Sequence, residues 1–236
     1  TDRTILRLLI RNIMLSLYRP SWTKRTLERI KTVLFWITIT IVLGGITVTA
    51  IVDRHKTAPI YGVHDIILQQ EAAMRFLLEG KNPYKETYFE TPLKDWHYGE
   101  LGKDTINPAL YHFVMPPWYL IFPFFFYALS IPALGYFDGR MVLLFCLFGT
   151  LLIVLRWYKN PALGRIAGVL IALSPGIAPY FIEGRSDAFA LFWLVWSLYL
   201  LEKKKLFWSA FVFALALLSK QTIWFIVPFY GIYLWA

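Results

Sequence analysis

The 236-residue chain is 58% hydrophobic and 18% aromatic, with a mean hydropathy of +0.52, more apolar surface than a soluble domain of this length can bury. Its formal net charge of +9 would suit nucleic acid in a soluble protein. Here most of the excess precedes the first hydrophobic segment without any aromatic-interleaved basic groove, so no nucleic-acid partner is expected. The lone Cys146 lies in an apolar run, which excludes an intrachain disulfide and a thiolate metal cluster.

Residues 1–32 form a basic cytoplasmic segment. Arg3, Arg7, Arg11, Arg19, Lys24, Arg25, Arg29 and Lys31 face only Asp2 and Glu28 there, a pattern that anchors on anionic lipid. Within it, residues 5–17 read as an amphipathic helix on the membrane surface, broken at Arg19-Pro20-Ser21. No cleavable signal peptide is expected, because the basic region is long and no small-residue cleavage site follows the first apolar run.

Residues 33–236 form the transmembrane domain. Apolar residues occur in unbroken blocks rather than in alternation, and backbone in lipid must pair internally, so the fold class is all-α: a polytopic transmembrane helical bundle. The first span covers residues 33–52 with its amino end cytoplasmic, and Gly44-Gly45 admit a close neighbour. A large first extracytoplasmic loop follows, at about 53–138, containing amphipathic helical sequence at 64–79. Gly80 ends that helix and Lys81-Asn82-Pro83-Tyr84 makes a turn.

The apolar stretch 111–136 contains Pro116, Pro117, Pro123 and Pro132, which argue against a straight spanning helix. Further apolar runs occupy 141–155, 166–182, 188–201 and 206–219, and another opens at Thr222. That run is still apolar at Trp235-Ala236, so the chain is expected to be truncated at its C-terminus. If the proline-rich stretch crosses, Arg156, Lys159, Arg165 and Lys203-Lys204-Lys205 fall outside, against the positive-inside rule; if it dips and returns, all are cytoplasmic. The second solution is preferred. It puts the 53–138 loop, the Glu183-Gly184-Arg185-Ser186-Asp187 turn and Lys220-Gln221 on one external face.

Ionisable groups at that depth are costly and tend to be functional. Bland alternatives stand beside each: Asp65 and Asp187 as helix N-caps, Arg185 and Lys220 as snorkelling cations, His64 as a surface or hydrogen-bonding residue. His55, His64, His97 and His112 never take a two-histidine zinc spacing on one helix, so no metal site is expected, although a divalent ion held by Asp65 and Asp187 stays open. No P-loop, dinucleotide fingerprint or Gly-x-Ser-x-Gly elbow is present, and no cofactor is expected. A carboxylate facing cations across an external cleft suits a phosphate leaving group and an acceptor hydroxyl that needs a base.

At these residues the chain resembles the membrane glycosyltransferases of the C superfamily, mannosyltransferase-like enzymes that use polyprenyl- or dolichyl-phosphate sugars. The likeness is carried by His64-Asp65 opening a loop helix, by Leu78-Glu79-Gly80-Lys81-Asn82-Pro83-Tyr84, by Met115-Pro116-Pro117-Trp118-Tyr119-Leu120, by Gly184-Arg185-Ser186-Asp187 and by Leu218-Ser219-Lys220-Gln221. The resemblance implies a hexosyl- or pentosyltransferase on the external face of the plasma membrane or endoplasmic reticulum, with a lipid or glycan acceptor. It implies Asp65 as general base in a single inverting displacement, Arg185 and Lys220 on the lipid-linked phosphate, and substrate contacts from Asp187, His64, Tyr84 and Gln221. Met115 departs from the family's Tyr or His before the two prolines, which leaves that role to Tyr111 or His112. Competing readings are an inactive structural or accessory subunit of a membrane complex, and a transporter with Asp187 and Lys220 on its pathway.

Overall fold

The computed structural model describes residues 22–57, 62–96 and 106–235. The surface helix expected at residues 5–17, together with His97, lies outside them. Most of the described residues are helical, and no strand occurs among them. The chain divides after Thr38 into two compact units.

Helix α1 (Lys24–Ile39) carries the first unit's described residues. A π-helical turn (Thr40–Gly44) and α2 (Gly45–Thr57) open the second. The helical run Lys24–Lys56 is long and apolar enough to cross a membrane. Within the second unit its buried side is Ile39, Leu43, Thr47, Ile51 and Arg54, at helical spacing. The Thr47 hydroxyl turns back to the Leu43 carbonyl at 2.8 Å. Gly44 faces Phe148, whose ring would stand 3.7 Å from an added Cβ, an ordinary contact, while Gly45 faces only the Thr40 carbonyl.

The loop helix α3 (Asp65–Leu78) differs from a surface amphipathic helix. Residues Asp65 to Met74 are all buried, Gln69, Gln70 and Glu71 included. Its polar side is internal because it is satisfied. Gln69 donates to the Ala109 and His112 carbonyls at 2.6 and 2.8 Å and accepts from the Val114 N–H at 3.2 Å. The Gly80 backbone sits at φ +73°, the left-handed conformation that stops the helix.

Helix α4 (Trp118–Leu134) is continuous through Pro123 and Pro132, so the prolines do not break it as the sequence suggested. A proline at position 123 leaves the Tyr119 carbonyl, four residues back, without its helical donor. Gln70 supplies the missing hydrogen bond, its Nε2 donating to that carbonyl at 2.7 Å. The start of α4 is tied to the end of α9 (Leu206–Leu217), Trp118 N–H to Leu218 C=O at 2.9 Å, and its far end runs through Gly135 to Asp138, which meets Arg54 at 2.7 Å.

Helix α5 (Arg140–Trp157) is the second helix long and apolar enough to cross a membrane. The apolar run expected at 166–182 is two helices, α6 (Pro161–Leu173) and α7 (Ala178–Glu183), because Ser174-Pro175-Gly176 interrupts it. The α5 Arg140 guanidinium reaches the Ile182 carbonyl at 3.3 Å, and only Tyr158, Lys159 and Asn160 separate α5 from α6. The broken pair therefore returns the chain along the length of α5. Helix α8 (Asp187–Glu202) packs on α5 and on α9; reciprocal Ser197 and Ser209 hydroxyl-to-carbonyl bonds at 2.9 Å close the α8–α9 pair, with Tyr230 of α10 (Val227–Trp235) at 2.7 Å from Ser209.

These ties define two ends of the second unit. One carries His64-Asp65, Asp138-Arg140, the Glu183–Asp187 turn and Lys220, and both ends of α4. The other carries Trp157 against Tyr199, 5.8 Å between rings, beside Arg156, Lys159 and Lys203-Lys204-Lys205.

Candidate functional site

The backbone first brings the pieces together. The His64 N–H donates to the Glu183 carbonyl at 2.7 Å, which joins the start of α3 to the 183–187 turn. That approach needs a glycine: Gly184 has φ +99°, and an added Cβ would stand 2.7 Å from Ile67. The sequence-predicted residues Asp65, His64, Arg185, Asp187 and Lys220 thus share one end of the unit.

Asp65 opens its helix directly after His64, which is the N-cap, and it is 6% exposed. Its Oδ1 lies 2.6 Å from His64 Nδ1, and its Oδ2 accepts from Asn107 Nδ2 at 2.9 Å. The same Nδ1 faces the Ile66 N–H at 3.4 Å, so the imidazole is held between the helix start and the carboxylate. Burial opposes ionisation, but the bonds from His64, Asn107 and the Ile66 backbone outweigh it and hold the Asp65 carboxyl below the usual range. Trp96 completes the surround: its indole N–H donates to the Val63 carbonyl at 2.9 Å, and its ring sits 5.6 Å from that of His64.

The cations are each engaged. Arg185 Nε donates to Glu183 at 3.0 Å while its guanidinium lies over the Tyr180 ring, 4.0 Å from the centroid. Lys220 Nζ donates to Asp187 at 2.6 Å. Arg185 and Asp187 stand at a cavity of about 340 Å³ whose walls are otherwise mainly apolar, with Leu43, Leu147, Ile171, Leu191, Leu194 and Ile223 among them.

Gln221 and Tyr84 are structural ties. Gln221 Nε2 donates to the Val114 carbonyl at 2.9 Å, and the Tyr84 hydroxyl donates to the Met115 carbonyl at 2.9 Å, so both fasten the segment before α4. Met115 itself is buried. Tyr111 is exposed edge-on to Phe89, and the exposed His112 gives its carbonyl to Gln69.

Behind the site lies a buried ionic cluster that sequence reasoning missed. Arg54 forks onto Glu71 at 2.7 and 2.8 Å and reaches Asp138 at 2.7 Å. Arg140, fully buried, meets Asp138 through Nε at 2.9 Å, Nη2 at 2.8 Å and its backbone N–H at 3.0 Å. Burial opposes ionisation of Asp138, yet His55, Arg140 and Arg54 together hold its carboxyl far below the usual range. His55, Glu71 and Asp138 bring ligand-type atoms within 4.8 Å of one another, but the Arg54 guanidinium already stands between the two carboxylates. The only sequence signal was a run of adjacent polar residues, Gln69, Gln70 and Glu71, within the loop helix. Gly139 fits against it because a Cβ would stand 2.4 Å from Gln70 Oε1.

No protein-family model matches the chain, and no curated protein or solved structure matches it significantly.

Proposed function

We propose that the chain is a polytopic membrane glycosyltransferase that moves a sugar from a polyprenyl- or dolichyl-phosphate donor to an acceptor hydroxyl on the external face. The observation that carries the reading is that one end of a helical unit holds the Asp65–His64 pair, the Asp187–Lys220 pair and Arg185, with Arg185 and Asp187 lining an apolar cavity. Apolar walls that include Arg185, with Lys220 paired to the lining Asp187, suit a lipid chain ending in phosphate. The basic loops at the opposite end favour a cytoplasmic position for that end, with α4 dipping into the outer leaflet rather than crossing.

In the proposed reaction the acceptor oxygen attacks the anomeric carbon while the bond from that carbon to the phosphate oxygen breaks. The bonding electrons leave on the phosphate, where Arg185 and Lys220 offset the charge. The acceptor proton passes to Asp65. A carboxylate of depressed pKa is a weak base, so this transfer is late, when the bond to carbon has already acidified the hydroxyl. His64 orients Asp65 through its 2.6 Å contact from Nδ1.

The test is transfer by membranes containing wild-type or Asp65→Asn protein, supplied with radiolabelled polyprenyl-phosphate sugars. The proposal requires transfer by wild type and a loss of roughly 100-fold or more in the variant at unchanged expression. Equal labelling by both proteins would favour an accessory subunit instead.

A further inference from the structure

Arg185 and Lys220 are held in different ways. Arg185 is fixed on two sides, over the Tyr180 ring at 4.0 Å and through Nε to Glu183 at 3.0 Å. A guanidinium gripped at Nε still presents both Nη groups along its other edge. Lys220 instead meets a single carboxylate head-on, Asp187 at 2.6 Å. The Lys220 side chain is 21% exposed and that of Asp187 is 70% exposed, so Asp187 can be given back to solvent at little cost.

A phosphodiester carries one negative charge, whereas a phosphomonoester carries close to two above its second pKa of ~6. Resting on the glycosyltransferase reading, we propose that Asp187 is a positioning residue that withholds Lys220 from the singly charged donor, which Arg185 binds alone. Asp187 yields Lys220 to the phosphate only as cleavage gives that group its second charge. The electrons of the broken carbon–oxygen bond become that charge, the acceptor oxygen takes their place on the anomeric carbon, and its proton goes to Asp65. A contact formed only as charge develops lowers the barrier without tightening the ground state.

The experiment needs no knowledge of the sugar. Farnesyl phosphate and its methyl phosphodiester are titrated at pH 8 into the full chain in detergent, with binding read by calorimetry. Wild type is expected to bind the monoester about tenfold more tightly than the diester. Lys220→Gln should remove that preference by weakening the monoester alone, and Arg185→Gln should weaken both. Asp187→Asn should reduce the preference by tightening the diester, since Lys220 is then available to it. Equal binding of the two ligands by wild type would overturn the proposal, and so would parallel weakening of both by Asp187→Asn. Binding of neither ligand by wild type would instead remove the glycosyltransferase reading on which the proposal rests.

Discussion

Neutralising Asp138 is the sharpest structural perturbation available. Its carboxylate is fully buried and accepts from Arg54 at 2.7 Å and from three Arg140 donors at 2.8 to 3.0 Å. Asp138→Asn keeps the shape but removes the negative charge between two buried guanidiniums, leaving Glu71 as the remaining carboxylate partner of Arg54 in the cluster. Removing one partner of a buried ion pair costs about 3–5 kcal/mol. In a chain of this size that is a fall of roughly 10 °C in melting temperature. Thermal unfolding in detergent, followed by tryptophan fluorescence, reads it directly. A shift within about 2 °C of wild type would refute the view that this cluster joins α2, α3 and α5.

The cluster also predicts a pH dependence. Because the folded-state pKa of Asp138 is depressed, its contribution is complete above the unfolded value of ~3.9 and is lost as pH falls toward the folded one. Melting temperature should therefore decline below about pH 4, and less steeply in Asp138→Asn. Asp65 is also depressed, so transfer activity should show no acidic limb from this residue between about pH 5 and 8; a limb centred near pH 6 that disappears in Asp65→Asn would contradict its environment. Gly139→Ala would press a methyl group against Gln70 and Ile67, at 2.4 and 2.8 Å, and should cost about 1–3 kcal/mol by denaturant titration. Gly184→Ala adds backbone strain to its 2.7 Å approach to Ile67; it should push His64 away from Glu183 and reduce transfer more than it lowers melting temperature.

The helices were legible where a single physical rule decides them. Unbroken apolar blocks located α5, α8 and α9, and the sequence around His64 located α3 to within a residue at each end. The Ser174-Pro175-Gly176 interruption was present in the sequence, but its apolar flanks concealed it within one hydropathic run. Partnering across the chain was not legible. Glu71 and Asp138 are 67 positions apart and share Arg54, and no local pattern announces such a meeting. Pro123 looked like a helix breaker because a proline's lost hydrogen bond is read locally, whereas its repair comes from Gln70 on another helix. At the site, residue types pointed to Asp65, Arg185, Asp187 and Lys220. Bringing the His64–Asp65 pair beside the Glu183–Asp187 turn required the glycine at 184.

Native mass spectrometry of the gently extracted protein bears most directly on the lipid-phosphate reading. Wild type should carry a polyprenyl or dolichyl phosphate, with or without its sugar, and Arg185→Gln combined with Lys220→Gln should lose it while retaining ordinary phospholipid. A wild-type spectrum showing phospholipid alone, or an isoprenoid phosphate kept undiminished by the double variant, would contradict the account.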